Sequence, residues 1–138
     1  ILELTESSIA EDLDFLREKI EQLRSLGICI AIDDFGTQYS AMQILKEVPC
    51  DIVKIDRSFL RDILHSQFDA SIISCIHDIC EGIGMEVCQE GVETRAEFQK
   101  IHDMGIEYIQ GFYFGEPQSE EKITESLVKR NSKKTDER

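Results

Sequence analysis

No apolar run in this chain approaches the roughly 18 residues that a helix needs to cross a bilayer, which argues against a helical membrane span. The opening residues Ile1-Leu2-Glu3 carry neither the basic n-region nor the apolar h-region of a secretory leader. The expectation is a soluble, cytoplasmic domain, with any membrane tether supplied by other domains of a longer protein. The five cysteines, Cys29, Cys50, Cys75, Cys80 and Cys88, are odd in number and show no C-x-x-C spacing. They sit among apolar residues and read as buried, reduced thiols. Neither G-x-G-x-x-G nor G-x-x-x-x-G-K occurs, so the usual phosphate loops of nucleotide-binding open sheets are missing. Repeats and low-complexity segments are missing too.

Positive charge is scarce. Fifteen Lys and Arg stand against twenty-eight Asp and Glu, a net −13, which repels DNA, RNA and anionic lipid unless cations intervene. The last ten residues, Lys129 to Arg138, hold five basic and two acidic groups, so the rest of the chain carries −16. That polar tail, residues 129–138, reads as a disordered end. At 138 residues and 41% hydrophobic, residues 1–128 suffice for one cored domain or a piece of one.

Hydrophobic periodicity alternates regularly between strand and helix. Leu2–Glu6 reads as a strand and Ser7–Leu26 as an amphipathic helix with Ile9, Leu13, Leu16, Ile20 and Leu23 on one stripe, ended by Gly27. Ile28–Asp33 is almost wholly apolar, as a strand buried on both faces would be. A helix over Tyr39–Lys46 breaks at Pro49 before the strand Asp51–Asp56. A short helical piece at Arg57–Leu64 and a helix over Asp69–Glu81 precede the strand Glu86–Glu90. A helix over Arg95–Met104, the strand Tyr108–Phe112 and a closing helix over Ser119–Lys129 follow. Such alternation predicts an α/β fold with a parallel sheet and right-handed crossovers. With the nucleotide loops absent, a barrel gains over an open sheet. A complete (β/α) barrel takes eight strands and about 250 residues, so five strands predict a partial TIM-like barrel whose N-terminal strands are missing.

In such a fold all strand ends meet at one rim, where barrels place their chemistry. Glu3, Asp33, Asp34 and Glu90 converge there, and like charges that close call for neutralisation, most simply by divalent cations. Hard carboxylate oxygens suit Mg²⁺ or Mn²⁺, with Ca²⁺ able to bind in a looser geometry. Zinc fits less well, because His65, His77 and His102 fall in helical stretches away from the strand ends. Successive strand side chains point oppositely, but where the strand curls into Phe35-Gly36 both aspartates can face one pocket. A two-ion centre there activates water against a phosphate ester, and Lys54 would hold that water or a phosphate oxygen. The plainer alternative makes Asp33-Asp34 a helix cap with Lys54 as its ion-pair partner. Glu93, before Thr94, has a cap as its alternative; Glu6 has capping or loop tethering. Thr5 shares a strand face with Glu3 and stands behind it. Metal-dependent phosphodiester hydrolysis and enolate chemistry, which also uses carboxylates and a lysine, both remain open.

Five ordered segments now carry a resemblance: Leu2-Glu3-Leu4-Thr5-Glu6, Asp33-Asp34-Phe35-Gly36-Thr37-Gln38-Tyr39-Ser40, Val53-Lys54-Ile55-Asp56-Arg57-Ser58-Phe59, Glu90-Gly91-Val92-Glu93-Thr94 and Gln110-Gly111-Phe112-Tyr113-Phe114-Gly115-Glu116-Pro117. In order and spacing residues 1–128 resemble the C-terminal part of EAL domains, bacterial cyclic di-GMP phosphodiesterases on a modified TIM barrel. The resemblance implies hydrolysis of cyclic di-GMP to linear pGpG. It makes Glu3, Asp33, Asp34 and Glu90 metal ligands, with Glu90, Lys54 and Asp56 catalytic. It implies that Gln110 and Glu93 line the substrate pocket and that Glu6 anchors the loop after Asp33-Asp34, tying it to dimerisation. A homodimer and a fused sensory or GGDEF-type domain upstream are implied partners. A degenerate module that binds cyclic di-GMP without cleaving it, or a dimerisation unit, is the rival.

Two departures from the family pattern bear on activity. The family's early glutamate strand and its next-strand asparagine are absent, so this chain alone is expected to be inactive. Gln38 stands where the loop usually has glycine, which would strain a left-handed backbone by about 1 kcal/mol. An open half-barrel with an uncovered apolar interior would pair with a second copy along Leu2–Glu6.

Overall fold

Side-chain alternation along the strands decides which way the sheet faces. The computed structural model describes residues 1–9, 13–37 and 41–125. Its strands β1 (Leu2–Thr5), β2 (Ile30–Phe35), β3 (Ile52–Ile55), β4 (Glu86–Gln89) and β5 (Tyr108–Ile109) form one parallel sheet in the order β1-β2-β3-β4-β5. Leu4, Ile32, Val53 and Val87 lie in one register row across the first four strands. They pack with Ile30, Ile55 and Phe35 into the core shared with the helices. Each such isoleucine or phenylalanine, fully buried, contributes about 1.5–3 kcal/mol.

The helices α1 (Leu13–Ser25), α2 (Ala41–Glu47), α3 (Gln67–Gly82) and α4 (Arg95–Asp103) each connect consecutive strands. Right-handed crossovers taken in sequential order keep every helix on the same side of the sheet. That winding belongs to a sector of a barrel, because a doubly wound sheet reverses its strand order at a switch point. Ile20 of α1, Ile44 and Leu45 of α2, Ile73, Ile76 and Cys80 of α3 and Ile101 of α4 supply the helix side of the core.

Several boundaries differ from the expected ones. The first helix does not begin at Ser7. Glu6–Ser8 form a 3₁₀ turn with Glu6 buried, and the α-helix runs from Leu13. The loop contacts of Glu6 described below account for that turn. β2 runs two residues further, through Phe35, and β5 is only two residues long. The helical piece after Asp56 is a 3₁₀ turn at Arg57–Leu60. Ser66 starts α3 at Gln67 by accepting the Asp69 amide, earlier than the apolar pattern indicated. Residues 120–125 are helical; the remainder of the closing helix, the tail at 129–138 and Gln38 lie outside the described residues.

The sheet face away from the helices is mixed, less apolar than the interior expected: Ala31, Ile52 and Cys88 share it with Glu3, Asp33, Lys54, Glu86 and Tyr108, whose hydroxyl donates to Glu86 Oε1 at 3.3 Å. No helix among the described residues is long and apolar enough to cross a membrane.

All five cysteines are free, and Cys50 and Cys80 are buried, but Cys75 is exposed on α3, against expectation. Burial, reinforced by Cys80 and Asp51, pushes the Cys50 thiol up to about 12. Burial alone moves Cys80 to about 11; burial and the Glu90 charge do the same for Cys88. A raised thiol pKa keeps the unreactive neutral form, so iodoacetamide at pH 8 should label Cys75 first. Cys50 and Cys80 should react only after denaturant is added, which mass spectrometry of the alkylated chain reads directly.

Candidate active site

Two successive acids reach one rim because β2 carries an extra residue. Ile32 pairs with Val53 and Phe35 with Ile55, so Asp33 and Asp34 together face the single residue Lys54. Asp34 takes the left-handed conformation, φ 55°, the one non-glycine residue to do so among those described. Aspartate tolerates that region better than most side chains. The bulge turns both carboxylates to the same side, where Asp33, Asp34 and Glu90 offer oxygens all within 4.8 Å of one another.

Lys54 occupies the middle of the acids. Its side chain is 8% exposed, and Nζ lies 2.7 Å from Glu90 Oε1, 2.8 Å from Glu3 Oε1 and 2.9 Å from Asp33 Oδ1. Burial works against its charge, but hydrogen bonds to Glu3, Glu90 and Asp33 outweigh it and hold the ammonium well above its ordinary pKa. Lys54 therefore stands as an ammonium at neutral pH. Glu90 is held above the carboxylate range by burial, with Lys54 opposing and Asp33 and Asp34 adding to the rise.

Glu6 sits 1% exposed beneath the loop that follows the bulge. Its Oε2 accepts the Gly36 amide at 3.0 Å, the Thr37 amide at 3.1 Å and the Thr37 hydroxyl at 3.4 Å. Gly36, φ 95°, lies so close to the Phe59 ring that a Cβ would stand 2.7 Å from it. The loop leaves β2 clamped between a carboxylate below and an aromatic ring at its side.

The remaining candidates surround a cleft of about 260 Å³ lined by Asp34, Asp56, Glu90, Glu93, Gln110 and their neighbours. Asp56 also accepts the Ser58 amide at 2.9 Å, which starts the 3₁₀ turn. The cap of α4 is a reciprocal pair of Thr94 and Glu97, not Glu93, which is one of the residues lining the cleft. Thr5 Oγ1 lies 3.2 Å from Ser7 Oγ. His65 falls in a turn and His77 and His102 on helices, and none joins the acidic group. Sequence reasoning missed Arg57 and Phe112, which line the cleft, and Gln89, buried behind Glu90. The aromatic content of the Gln110–Phe114 segment was a signal for Phe112; Gln89 ends an otherwise ordinary strand.

The donors fit a hard divalent cation: three clustered carboxylates with Glu3 beside them, all oxygen, against one fixed ammonium. Four negative charges facing one positive leave the rim acidic enough to attract such an ion. Among the described residues, no thiol or imidazole joins the cluster.

A model of the EAL domain matches residues 1–117. The chain is 39% identical over 128 residues to the bifunctional diguanylate cyclase/cyclic di-GMP phosphodiesterase MucR of Pseudomonas aeruginosa, covering 93% of this chain and 19% of that protein. The EAL domain of Mycobacterium smegmatis DcpA superposes with a TM-score of 0.87 at 34% identity, over 93% of this chain and 57% of that one. BlrP1 of Klebsiella pneumoniae, in a manganese/cy-diGMP complex at pH 9.0, aligns with a TM-score of 0.75 and 36% identity over 80% of this chain and 28% of that one. The chain spans less than a fifth of the length of the first curated relatives it matches.

Lys54→Met should lower stability by about 2–3 kcal/mol in chemical denaturation, since Glu3, Asp33 and Glu90 lose their shared counter-charge and Glu3 is half exposed. Millimolar Mn²⁺ should restore much of that loss. Asp34→Gly should act oppositely, raising stability by about 1 kcal/mol through relief of the left-handed residue and of charge repulsion. Titration calorimetry on the same variant should register weaker Mn²⁺ binding.

Proposed function

The chain belongs to the EAL domain family, and from that membership we propose that it carries the site for metal-dependent hydrolysis of cyclic di-GMP to linear pGpG. The observation that carries the proposal is the meeting of Asp33, Asp34 and Glu90 within 4.8 Å at the rim, with Lys54 bonded to two of them. Enolate chemistry loses ground, because a relative that matches most of this chain is named for phosphodiester hydrolysis.

Glu3, Asp33, Asp34 and Glu90 would hold Mg²⁺ or Mn²⁺, with Ca²⁺ as an inhibitory substitute. When bound, such ions neutralise phosphate charge and lower the pKa of the attacking water. The three donors of Lys54 are engaged by Glu3, Asp33 and Glu90, and one would turn to that water or a phosphate oxygen once bound cations take over an acid. Glu90, its pKa raised by burial, accepts a proton from the attacking water as the water oxygen bonds to phosphorus, and the ester oxygen released when the P–O bond breaks takes up a proton, from Glu90 or solvent, to leave as a hydroxyl. Asp56 stands beside the cleft as a second polar group near Lys54, and Gln110 and Glu93 line the wall against which substrate rests. Glu6 holds the loop after the aspartates and keeps the bulge in register. In the cell the reading is of a cytoplasmic homodimer, residues 1–128 forming part of a barrel fused to a sensory or GGDEF-type domain.

The deciding experiment is hydrolysis of cyclic di-GMP with Mg²⁺ or Mn²⁺, measured on this chain and on the full-length protein that carries it. Turnover by the full-length protein, reduced at least 1,000-fold by Glu90→Ala, is the expected result. Tight binding without turnover would identify a receptor instead, and neither binding nor turnover would reject both.

A further inference from the structure

Strand alternation turns Gln89 away from the rim into the layer between sheet and helices, where it is wholly buried. The buried polar or charged residues among those described are Glu6, Lys54 and Gln89. The first two serve the rim; Gln89 has no part in the function proposed above. Its Nε2 donates to the carbonyl of Glu90 at 3.0 Å and to that of Ile55 at 3.3 Å, while Oε1 has no hydrogen-bond partner among the described residues. Both neighbours are acceptors, so the amide nitrogen must face them and the oxygen must point into the apolar layer. An aliphatic side chain would fill that layer without an orphaned oxygen. Retention of an amide there is explained by what the nitrogen holds.

We infer that Gln89 is a positioning residue: its amide latches the Glu90–Gly91 peptide in the orientation that keeps the Glu90 carboxylate against Lys54 and the paired aspartates. The Glu90 amide donates to Ile55 O at 3.1 Å, and the Glu90 carbonyl receives Gln89 Nε2. Both backbone polar atoms of the glutamate are therefore held. Ile55 lies between Lys54 and Asp56, so the latch joins the lysine strand to the glutamate strand. The residue after Glu90 is Gly91, at φ 75°. A glycine at that place makes the preceding peptide plane easy to flip, because the two flanking turn geometries differ chiefly in the ψ before it and the φ after it. A flip would take the Glu90 carbonyl off the amide and loosen the backbone bearing a carboxylate that stands 2.7 Å from Lys54. A misplacement near 1 Å can cost about 100-fold in rate.

The catalytic consequence rests on the proposed phosphodiesterase function; the latch itself does not. Gln89→Leu and the unbranched Gln89→Met, made in the full-length protein, separate the two. Amide hydrogen exchange at Glu90 and Val92 should quicken about 10-fold or more in both variants, with the melting temperature unchanged or higher. The kcat for cyclic di-GMP should fall about 10-fold or more with KM little altered. Unchanged exchange and unchanged kcat would overturn the inference. So would a lowered melting temperature with exchange quickened across the whole sheet, or failure of both variants to fold, since either makes Gln89 a core residue only. If the unaltered protein hydrolyses nothing, the phosphodiesterase reading falls while the exchange rates still decide the latch.

Discussion

The Lys54 ammonium, nearly buried and within 2.9 Å of three carboxylates, is the interaction on which the rim depends. β1, β2 and β4 each deliver an acid to this one group, so a cation on β3 draws together strand ends that repulsion would otherwise spread. Burying a charge is costly unless it is fully paired, and Lys54 has as many carboxylate partners as an ammonium has donors. The arrangement balances three of the acids only partly and leaves Asp34 without an ion pair among the described residues. A rim so built is held in shape by its own lysine yet remains acidic enough to draw a divalent cation.

Support for that rim comes from below and behind. Glu6 fixes the loop leaving β2 from the end of β1, and the bulge at Asp33-Asp34 depends on where that loop starts. Gln89 ties the end of β4 to β3 from the core side. Both are buried polar groups that an optimally apolar core would omit, and the left-handed Asp34 is a further local strain. Residues that cost stability in this way gather where a site must be held in one geometry.

Much of the fold was legible because helix and strand differ in hydrophobic period, and glycines at 27, 82, 84 and 105 mark the ends of the helical stretches. The acids and Lys54 were legible as strand-end residues, since parallel strands bring such ends together whatever the loops do. The start of α1 was not, because Ser7-Ser8 before an apolar stripe looks like a helix beginning, and only the buried Glu6 reveals the 3₁₀ turn. The exposure of Cys75 was hidden too, as its apolar neighbours alternate between core and surface at a helical period that five cysteines in sequence do not disclose.

By itself, the sequence determined the order of strands and helices, the acidic excess and the residue types available at each strand end, all of which follow from local periodicity and composition. Only the tertiary structure decided that Asp33 and Asp34 share one side, that Lys54 bonds three acids at once and that Gln89 holds Glu90. Those facts turn on a one-residue bulge, a register between strands and a few ångströms of separation between residues far apart in the chain. No local pattern encodes such distances, because they arise when the core between sheet and helices closes and brings the strand ends to their final spacing.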